Sequence, residues 1–437
     1  MKIFGDRTEQ KHRIHQVKAM ALSKTAINSA ILFGGNFLNT FLSLIAIIFV
    51  SRKLGPTNFG ILATFNAVMI ALVGLTDFGL GTTSIKLISQ YLNENKRKAY
   101  VVMKVIVALE VLTGVLVGVL GLIFSKNVAS ALGGQHLLFA VRMGFLAGIF
   151  ATAGAFYGPF FVAYEQFIKN ALVNLSGAVL RTGTVIVLFM MASLSLTHVI
   201  VAYTIVPIAF FFIGFTFIPK DFVLKTQREE QREALQEIFH FSKWIFLSYV
   251  ATSIAGKLDV FLISRFNGSE AVGLYAAAQQ LVTVMPMLIG AITTVLLPKV
   301  SKLRTQTEFK GYIKRVVLGV SFLCLALIPI ALFGDILIKL IFGHRFLGAI
   351  SAFKILFLGY LVALFVNPLS LILYALNKPR ILTYGNYIQL VVSLGAYVIL
   401  IPRFGSIGAA LTFLIINIVG AVFSIYWIHR EVSKLSV

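Results

Sequence analysis

The chain has 437 residues, of which 58% are hydrophobic and only 12% are charged, about half the charged fraction of a typical soluble domain. Its hydrophobic residues form blocks of about 18 to 25, the length that crosses about 30 Å of hydrocarbon, which excludes a soluble enzyme. The net charge of +22 comes from 38 lysines and arginines against 16 acidic residues. Basic cytoplasmic loops of a membrane protein explain this excess without nucleic-acid binding.

Twelve hydrophobic blocks follow a basic N-terminal segment, residues 1–24, that lacks the apolar core of a cleaved signal peptide. The blocks within 25–218 predict an N-lobe, and the blocks within 238–430 predict a C-lobe. The charged stretch 219–237 between them is predicted to be a cytoplasmic linker, and residues 431–437 are predicted to form a short cytoplasmic tail. We predict an all-α polytopic protein of about twelve transmembrane helices in two parallel, pseudo-symmetric six-helix lobes around a central cavity. The predicted spans are 25–50, 58–80, 101–125, 137–161, 168–191, 196–218, 240–264, 272–297, 314–334, 350–374, 381–401 and 406–428.

Basic residues concentrate on the membrane side that holds both predicted termini. The segments 96–98, 220–232 and 299–315 carry most of this bias. By the positive-inside rule, both termini are expected in the cytoplasm, with the protein in the cell inner membrane. Most of the positive charge therefore sets orientation rather than binding a ligand.

A short pattern at the end of the first span recurs at the end of the seventh. Ser51-Arg52-x-x-Gly55-x-x-x-x-Gly60 returns 213 residues later as Ser264-Arg265-x-x-Gly268-x-x-x-x-Gly273. Both copies cross the same membrane boundary in the same direction, which indicates two parallel repeats. Transporters with internal repeats hold their substrate between the halves.

Polar residues follow one face of several spans. In the first span Ser29, Asn36, Thr40 and Ser43 share a face, and in the seventh Ser248, Thr252 and Asp259 do so. Hydrogen bonding between packed helices is the alternative explanation for such stripes. Their presence on the same helix of both halves favours a water-filled central cavity.

Ionisable residues inside spans are costly and indicate function. An anionic headgroup is expected to bind Arg142, Arg181, Lys257, Lys86, Lys104 and Lys354, because several cations around a cavity attract phosphate and arginine donates to it bidentately. The acids Asp77, Asp259 and Glu110 are candidates for ion coupling or gating. Two alternatives remain for these residues. The side chains of Lys86, Lys104, Lys354 and Arg142 could extend to the membrane interface, and Arg181 and Lys257 could form structural ion pairs.

Sequence motifs for catalysis and metal binding are absent from the chain. It contains no Gly-x4-Gly-Lys-Ser/Thr and no His-Glu-x-x-His, and its seven histidines are scattered. The one cysteine, Cys324, lies within a span and excludes an internal disulfide. We therefore predict a protein that is not an enzyme, with no catalytic residues, no cofactor and no metal site.

The turn Ser51-Arg52-Lys53-Leu54-Gly55-Pro56-Thr57-Asn58-Phe59-Gly60 resembles the R-x-LGP-x-x-[FY]-G turn of the Wzx-type O-antigen and capsule flippases. These belong to the multidrug/oligosaccharidyl-lipid/polysaccharide superfamily. Asp77-Phe78-Gly79-Leu80 is similar to the DFGL that follows in that family, and the second-half pattern and Ala375-Leu376-Asn377-Lys378-Pro379 also fit. The order and spacing of these motifs extend the resemblance over nearly the whole chain.

The resemblance implies two six-helix lobes around a cationic cavity and the flipping of polyprenyl-diphosphate-linked oligosaccharide to the outer leaflet. A cation gradient, H⁺ or Na⁺, would drive it by antiport, with Asp77 carried over by motif. Membrane lipids are expected contacts, and a polysaccharide polymerase and chain-length regulator are candidate partners. The motif and turn residues are Arg52, Gly55, Pro56, Gly60, Arg265, Gly268 and Gly273.

Two other functions stay open at this point. A cation-coupled multidrug exporter of the same superfamily would need cavity acids more than cavity bases. A non-transporting membrane subunit of a glycan assembly complex, such as a polymerase, would normally show a large non-cytoplasmic loop. The predicted spans leave room for no such loop.

Overall fold

In a computed structural model, the described part of the chain comprises residues 24–218 and 227–435. The predicted N-terminal segment and the first half of the predicted linker lie almost entirely outside it. The side chains of 243–255 also lie outside the described part, and with them the predicted polar positions Ser248 and Thr252.

Fifteen α-helices and two short 3₁₀ turns make up the described chain. The helices are α1 Lys24–Thr76, α2 Leu80–Glu94, α3 Lys96–Ile123, α4 Ser125–Ala131, α5 Leu138–Ala155, α6 Tyr157–Ala163, α7 Phe167–Met190, α8 Leu196–Thr216, α9 Arg228–Val282, α10 Val284–Val300, α11 Gln306–Leu332, α12 Gly334–Ile341, α13 Ile350–Ala375, α14 Pro379–Phe404 and α15 Ser406–Val432. The 3₁₀ turns are Gln135–Leu137 and His344–Ala349.

Ten segments of the described chain are long and apolar enough to cross a membrane. Two of them have 43 and 45 residues, about twice the length that one crossing needs. Each contains a glycine with non-helical backbone: Gly55 has φ 72° and ψ 174°, and Gly268 has φ 79° and ψ 177°. Because the chain turns at these glycines, the ten segments make twelve crossings, and the predicted fold class is confirmed.

The two halves share their irregular backbone positions as well as their spans. Left-handed φ values occur at residues 209 to 213 positions apart in the two halves. The pairs are Gly55 with Gly268, Gly134 with Gly343, Glu165 with Asn377, and Ala192 with Gly405. A positive φ is uncommon outside glycine, so this coincidence indicates a true structural repeat.

The helix bundle has two ends. The Gly55 side carries Gly55, Gly268 and the short helices α4 and α12. The linker side carries Asn95, Lys378 and the start of α9. Large apolar side chains are exposed on the outward faces between these ends, for example Phe322 at 73% and Val391 at 69%, as lipid-facing surfaces require.

The first turns of α9 pack against the N-lobe rather than standing in solvent. Ala234 and Ile238 are 1% exposed in a cluster with residues of α2, α3 and α6. Glu230 accepts from Arg97 Nε at 2.7 Å, and this hydrogen bond, with one from the Gln227 backbone, lowers the pKa of Glu230. The second half of the predicted linker is thus a docked helix that continues directly into the seventh crossing.

Candidate functional site

A cavity of about 510 Å³ lies within the C-lobe. It is enclosed by α9, α10, α13, α14 and α15. Its polar and charged side chains are Lys257, Asp259, Tyr275, Gln279, Thr283, Tyr360, Asn386, Gln389, Ser393 and Tyr397. One cation and one acid offset each other in this lining, so neutral donors and acceptors dominate the cavity.

Asp259 is the buried acid of this cavity, at 6% exposure. Its Oδ2 accepts from the Tyr275 hydroxyl at 2.9 Å and from Gln279 Nε2 at 3.1 Å. Its Oδ1 accepts from the Val260 backbone N–H at 2.7 Å. Lys257 lies within electrostatic range but forms no ion pair with it, so neutral donors hold the carboxylate in place.

A second cavity of about 390 Å³ adjoins the first and shares Asn386 and Gln389 with it. Asn367 Nδ2 donates to the Ala363 carbonyl at 2.7 Å, as Asn417 Nδ2 does to the carbonyl four residues earlier. The Oδ1 atoms of both are left as acceptors. Asn386 and Gln389 make no hydrogen bond with another described residue, so these two carboxamides are available to a ligand or water.

Sequence reasoning missed this carboxamide group because it weighted charged residues. The signal was present: Asn386, Gln389 and Ser393 follow one another at spacings of three and four, which is one face of α14. The polar-face criterion applied to the first and seventh spans would have found them in the eleventh.

The two lobes meet at the repeat-related glycines on the Gly55 side. A Cβ added at Gly60 would lie 2.7 Å from the Ser269 carbonyl carbon and 2.8 Å from Gly273 N. A Cβ at Gly273 would lie 2.8 Å from the Pro56 carbonyl carbon and 3.0 Å from Gly60 N. Because all of these neighbours are backbone atoms, only glycine allows the lobes to approach this closely.

The repeat-related arginines act reciprocally across this contact. Arg52 Nε donates to the Ile341 carbonyl at 2.9 Å, and its Nη2 donates to the Leu340 carbonyl, both at the end of α12. Arg265 Nη1 donates to the Ser130 carbonyl at 3.4 Å, near the end of α4. Each arginine thus binds the carboxyl end of a short helix in the opposite lobe, where the negative end of the helix dipole favours a cation.

Further contacts join the lobes at the same level. The Ser264 hydroxyl donates to the Leu132 carbonyl at 2.6 Å. The Phe59 ring lies 5.8 Å from that of Phe346 and 6.5 Å from that of Phe342. The motif and turn residues found in the sequence therefore build a closed contact between the lobes on the Gly55 side.

The predicted cationic residues are not gathered at one point. Lys257 lines the C-lobe cavity. Arg181, half-buried in α7, lies with its guanidinium carbon 5.6 Å from the Tyr203 ring centroid. Residue 181 corresponds through the repeat to Ser393 of the C-lobe cavity, 212 residues later, which puts a cation at the equivalent N-lobe position.

The other four predicted cations lie away from the C-lobe cavity. Arg142 and Lys354 are exposed, Arg142 donates to the Ser125 hydroxyl at 3.2 Å, and Lys354 approaches the start of α12. Lys86 lies 3.9 Å from the Phe241 ring centroid. Lys104 lines a separate groove against the start of α9.

Asp77 and Glu110 lie within electrostatic range of each other in the N-lobe. Asp77 Oδ1 accepts from the Gly81 backbone N–H at 3.0 Å, so its carboxylate also caps the start of α2. Glu110 is 3% exposed, and its Oε2 has no hydrogen-bond partner. Burying a carboxylate oxygen that has no hydrogen-bond partner is costly when the group is charged.

Among the described residues, no group of three or more His, Cys, Asp or Glu side chains could hold a metal ion. The fold and its internal cavities define a polytopic α-helical membrane protein of two pseudo-symmetric lobes. Within that class, the chain belongs to the family described as polysaccharide biosynthesis protein, which matches residues 26–304. This match confirms the family resemblance found in the sequence.

Sequence alignments with two named relatives extend over most of the chain. It is 22% identical to a putative O-antigen transporter of Shigella flexneri, over 92% of this chain and 96% of that one. It is 23% identical to a probable low-salt glycan biosynthesis flippase of Haloferax volcanii, over 95% and 85%. The solved structure of the lipid II flippase MurJ in an inward closed conformation aligns with a TM-score of 0.73 at 13% identity, over 93% and 90%, which shows a common fold.

Proposed function

We propose that this protein moves polyprenyl-diphosphate-linked oligosaccharide from the cytoplasmic to the outer leaflet for polysaccharide biosynthesis. The observation that carries the proposal is the carboxamide- and tyrosine-lined cavity within the membrane-spanning part of the C-lobe. A hydrophobic substrate would gain nothing from that lining, whereas sugar hydroxyls match its donors and acceptors. The names of the two sequence relatives support the same substrate class.

The two lobes would hold different parts of the substrate. The C-lobe lining is close to neutral and offers Asn386 and Gln389 without protein partners, which suits uncharged sugars. The equivalent N-lobe position is a cation, Arg181, which suits the diphosphate. Lys257 lies at the C-lobe cavity and would contact the diphosphate or an acidic sugar. The polyprenyl tail would remain in the bilayer.

The closed Gly55 side fits one state of an alternating-access cycle. The second cavity extends to Tyr374, a few residues from Lys378 on the linker side. Since the linker side is the one predicted to be cytoplasmic, this arrangement supports a state that takes up substrate from the cytoplasm. Transport then requires the contact of Gly60 with Gly273 to separate while the linker side closes.

A cation gradient would supply the energy through buried carboxylates. Asp259 lies in the cavity that we assign to the glycan, so uptake of H⁺ or Na⁺ there would change the charge of the substrate site directly. The pair Asp77 and Glu110 is the N-lobe alternative. Replacing Asp259 and Glu110 separately would identify which of them sets the dependence of transport on the gradient.

Leaflet transfer in proteoliposomes tests the proposal. The probe is an undecaprenyl-diphosphate-linked disaccharide with a fluorescent label, and transfer is read from quenching by a reagent that cannot cross the membrane. Gln389→Met keeps the side-chain volume but removes the carboxamide, and we expect about tenfold slower transfer for one or two lost hydrogen bonds. Val391→Met on the lipid-facing side of the same helix is the control.

Two results would contradict the assignment. If the wild-type protein does not move the probe between leaflets, the flippase proposal is refuted. If Gln389→Met and Val391→Met transfer the probe at the same rate as each other, with transfer intact, the glycan does not bind in the C-lobe cavity.

A further inference from the structure

The start of α9 distributes its charges unequally over its faces. Glu230 pairs with Arg97, and Glu237 pairs with Lys98 at 3.1 Å, so two of its acids face α3. Arg228 and Arg232, one turn apart, are exposed and face a different direction. Within the described part of the chain, neither arginine makes a hydrogen bond or ion pair through its side chain.

A groove of about 590 Å³ lies between this face of α9 and the outer face of α3. It is lined by Lys104, Val105, Ala108, Leu109, Leu112, Arg228, Gln231, Arg232 and Leu235. Three cations and no acid are present in this lining, and one wall is an apolar helix face. The groove therefore combines an anion site with a surface for a hydrocarbon chain.

The groove lies at the membrane boundary on the linker side. Lys104 is eight residues from the start of α3, which is about 12 Å along the helix axis. Leu112 is 62% exposed, and Phe239 near the same stretch of α9 is 70% exposed, as expected for side chains in contact with lipid. None of its lining residues lines either C-lobe cavity.

We propose that this groove binds an anionic phospholipid of the cytoplasmic leaflet. Its phosphate would lie among Arg228, Arg232 and Lys104, and one acyl chain would follow Leu109 and Leu112. Because the groove is separate from both C-lobe cavities, we assign it to a structural phospholipid and not to the transported lipid. The bound lipid joins α9 to α3 and so holds the helix that leads into the C-lobe against the N-lobe.

Lipid retention by the purified full-length protein tests this site. Native mass spectrometry would compare phosphatidylglycerol with phosphatidylcholine on the wild type and on an Arg228→Gln/Arg232→Gln variant. We expect the wild type to prefer phosphatidylglycerol and the variant to lose at least about tenfold in apparent affinity, since each basic residue near the surface strengthens such binding severalfold. Lys302→Gln/Arg380→Gln, an equal charge change elsewhere on the linker side, should retain the wild-type preference.

An Arg228→Lys/Arg232→Lys variant keeps both charges and should retain the preference if the loss in the glutamine variant reflects charge and not misfolding. Equal binding of both phospholipids by the wild type would overturn the proposal. So would an equal loss in the Lys302→Gln/Arg380→Gln control. Displacement of phosphatidylglycerol from the groove by equimolar undecaprenyl diphosphate would assign the groove to the transported lipid instead.

Discussion

The contact between Gly60 and Gly273 offers a direct test of lobe closure. In Gly60→Ala, the new Cβ would lie 2.7 Å from the Ser269 carbonyl carbon and 2.8 Å from Gly273 N, and closer still to the Ser269 carbonyl oxygen. Real Cβ atoms essentially never come within 3.0 Å of such atoms. Because these neighbours are backbone, the lobes must separate locally instead of a side chain rotating away. A misfit of this kind costs about 1–3 kcal/mol, which shifts a two-state equilibrium about 5- to 150-fold toward opening on the Gly55 side.

Electron paramagnetic resonance distances would report this shift. Spin labels on cysteines introduced at Thr57 and Glu270, both exposed, in a Cys324→Ser background, should show a longer, broader distance distribution in Gly60→Ala than in the parent. Gly183→Ala, whose added Cβ meets open space, is the matched control. An unchanged distribution in Gly60→Ala would refute the assignment of this contact as the closure point.

Three further predictions concern hydrogen bonds and ion pairs. Arg52→Gln and Arg265→Gln should each weaken closure by about 1 kcal/mol or more, because Arg52→Gln loses two charge-assisted hydrogen bonds and Arg265→Gln loses one, all at exposed sites. The double variant should shift the spin-label distances more than either single variant; equal distances would contradict reciprocal action. Asp259→Asn should lower the free energy of unfolding by about 1–3 kcal/mol, because its NH₂ would face the donors that now bind the carboxylate. It should also abolish gradient-driven transfer, because the side chain no longer ionises; full transfer would exclude coupling at Asp259. The pKa of Glu230 is lowered in the folded protein, so its stabilisation is complete above the unfolded pKa and is lost as pH falls through the folded pKa. Hydrogen-exchange protection factors at the start of α9, corrected for the intrinsic exchange rate at each pH, should therefore fall in acid, and should fall less in Arg97→Gln.

The positions at which the backbone leaves the helical conformation could be found from sequence only in part. Gly55 and Gly268 stood out because they occupy the same place in a repeated motif. Glu165 and Asn377, or Ala192 and Gly405, share left-handed backbone without sharing residue type. Local sequence does not report such equivalence when the surrounding helices, and not the side chain, impose the turn.

The sequence did not determine how the predicted cations are distributed in the fold. Six cations were expected around one cavity, but Arg142 and Lys354 lie exposed near the short helices, and Lys104 lines a lateral groove. Hydrophobicity places a residue within a span, yet it does not say which neighbour its side chain meets. The carboxamides of α14 were missed for the converse reason, since they are uncharged and separated by apolar residues.

The sequence by itself determined the membrane class, the twelve crossings and the repeat, because length, hydropathy and a recurring motif act locally along the chain. Only the tertiary structure decided that Arg52 binds α12 and Arg265 binds α4, and that Gly60 and Gly273 meet. Those partners lie on opposite lobes, more than a hundred residues apart in sequence in each case. Their meeting depends on how two six-helix units pack, which no local pattern encodes.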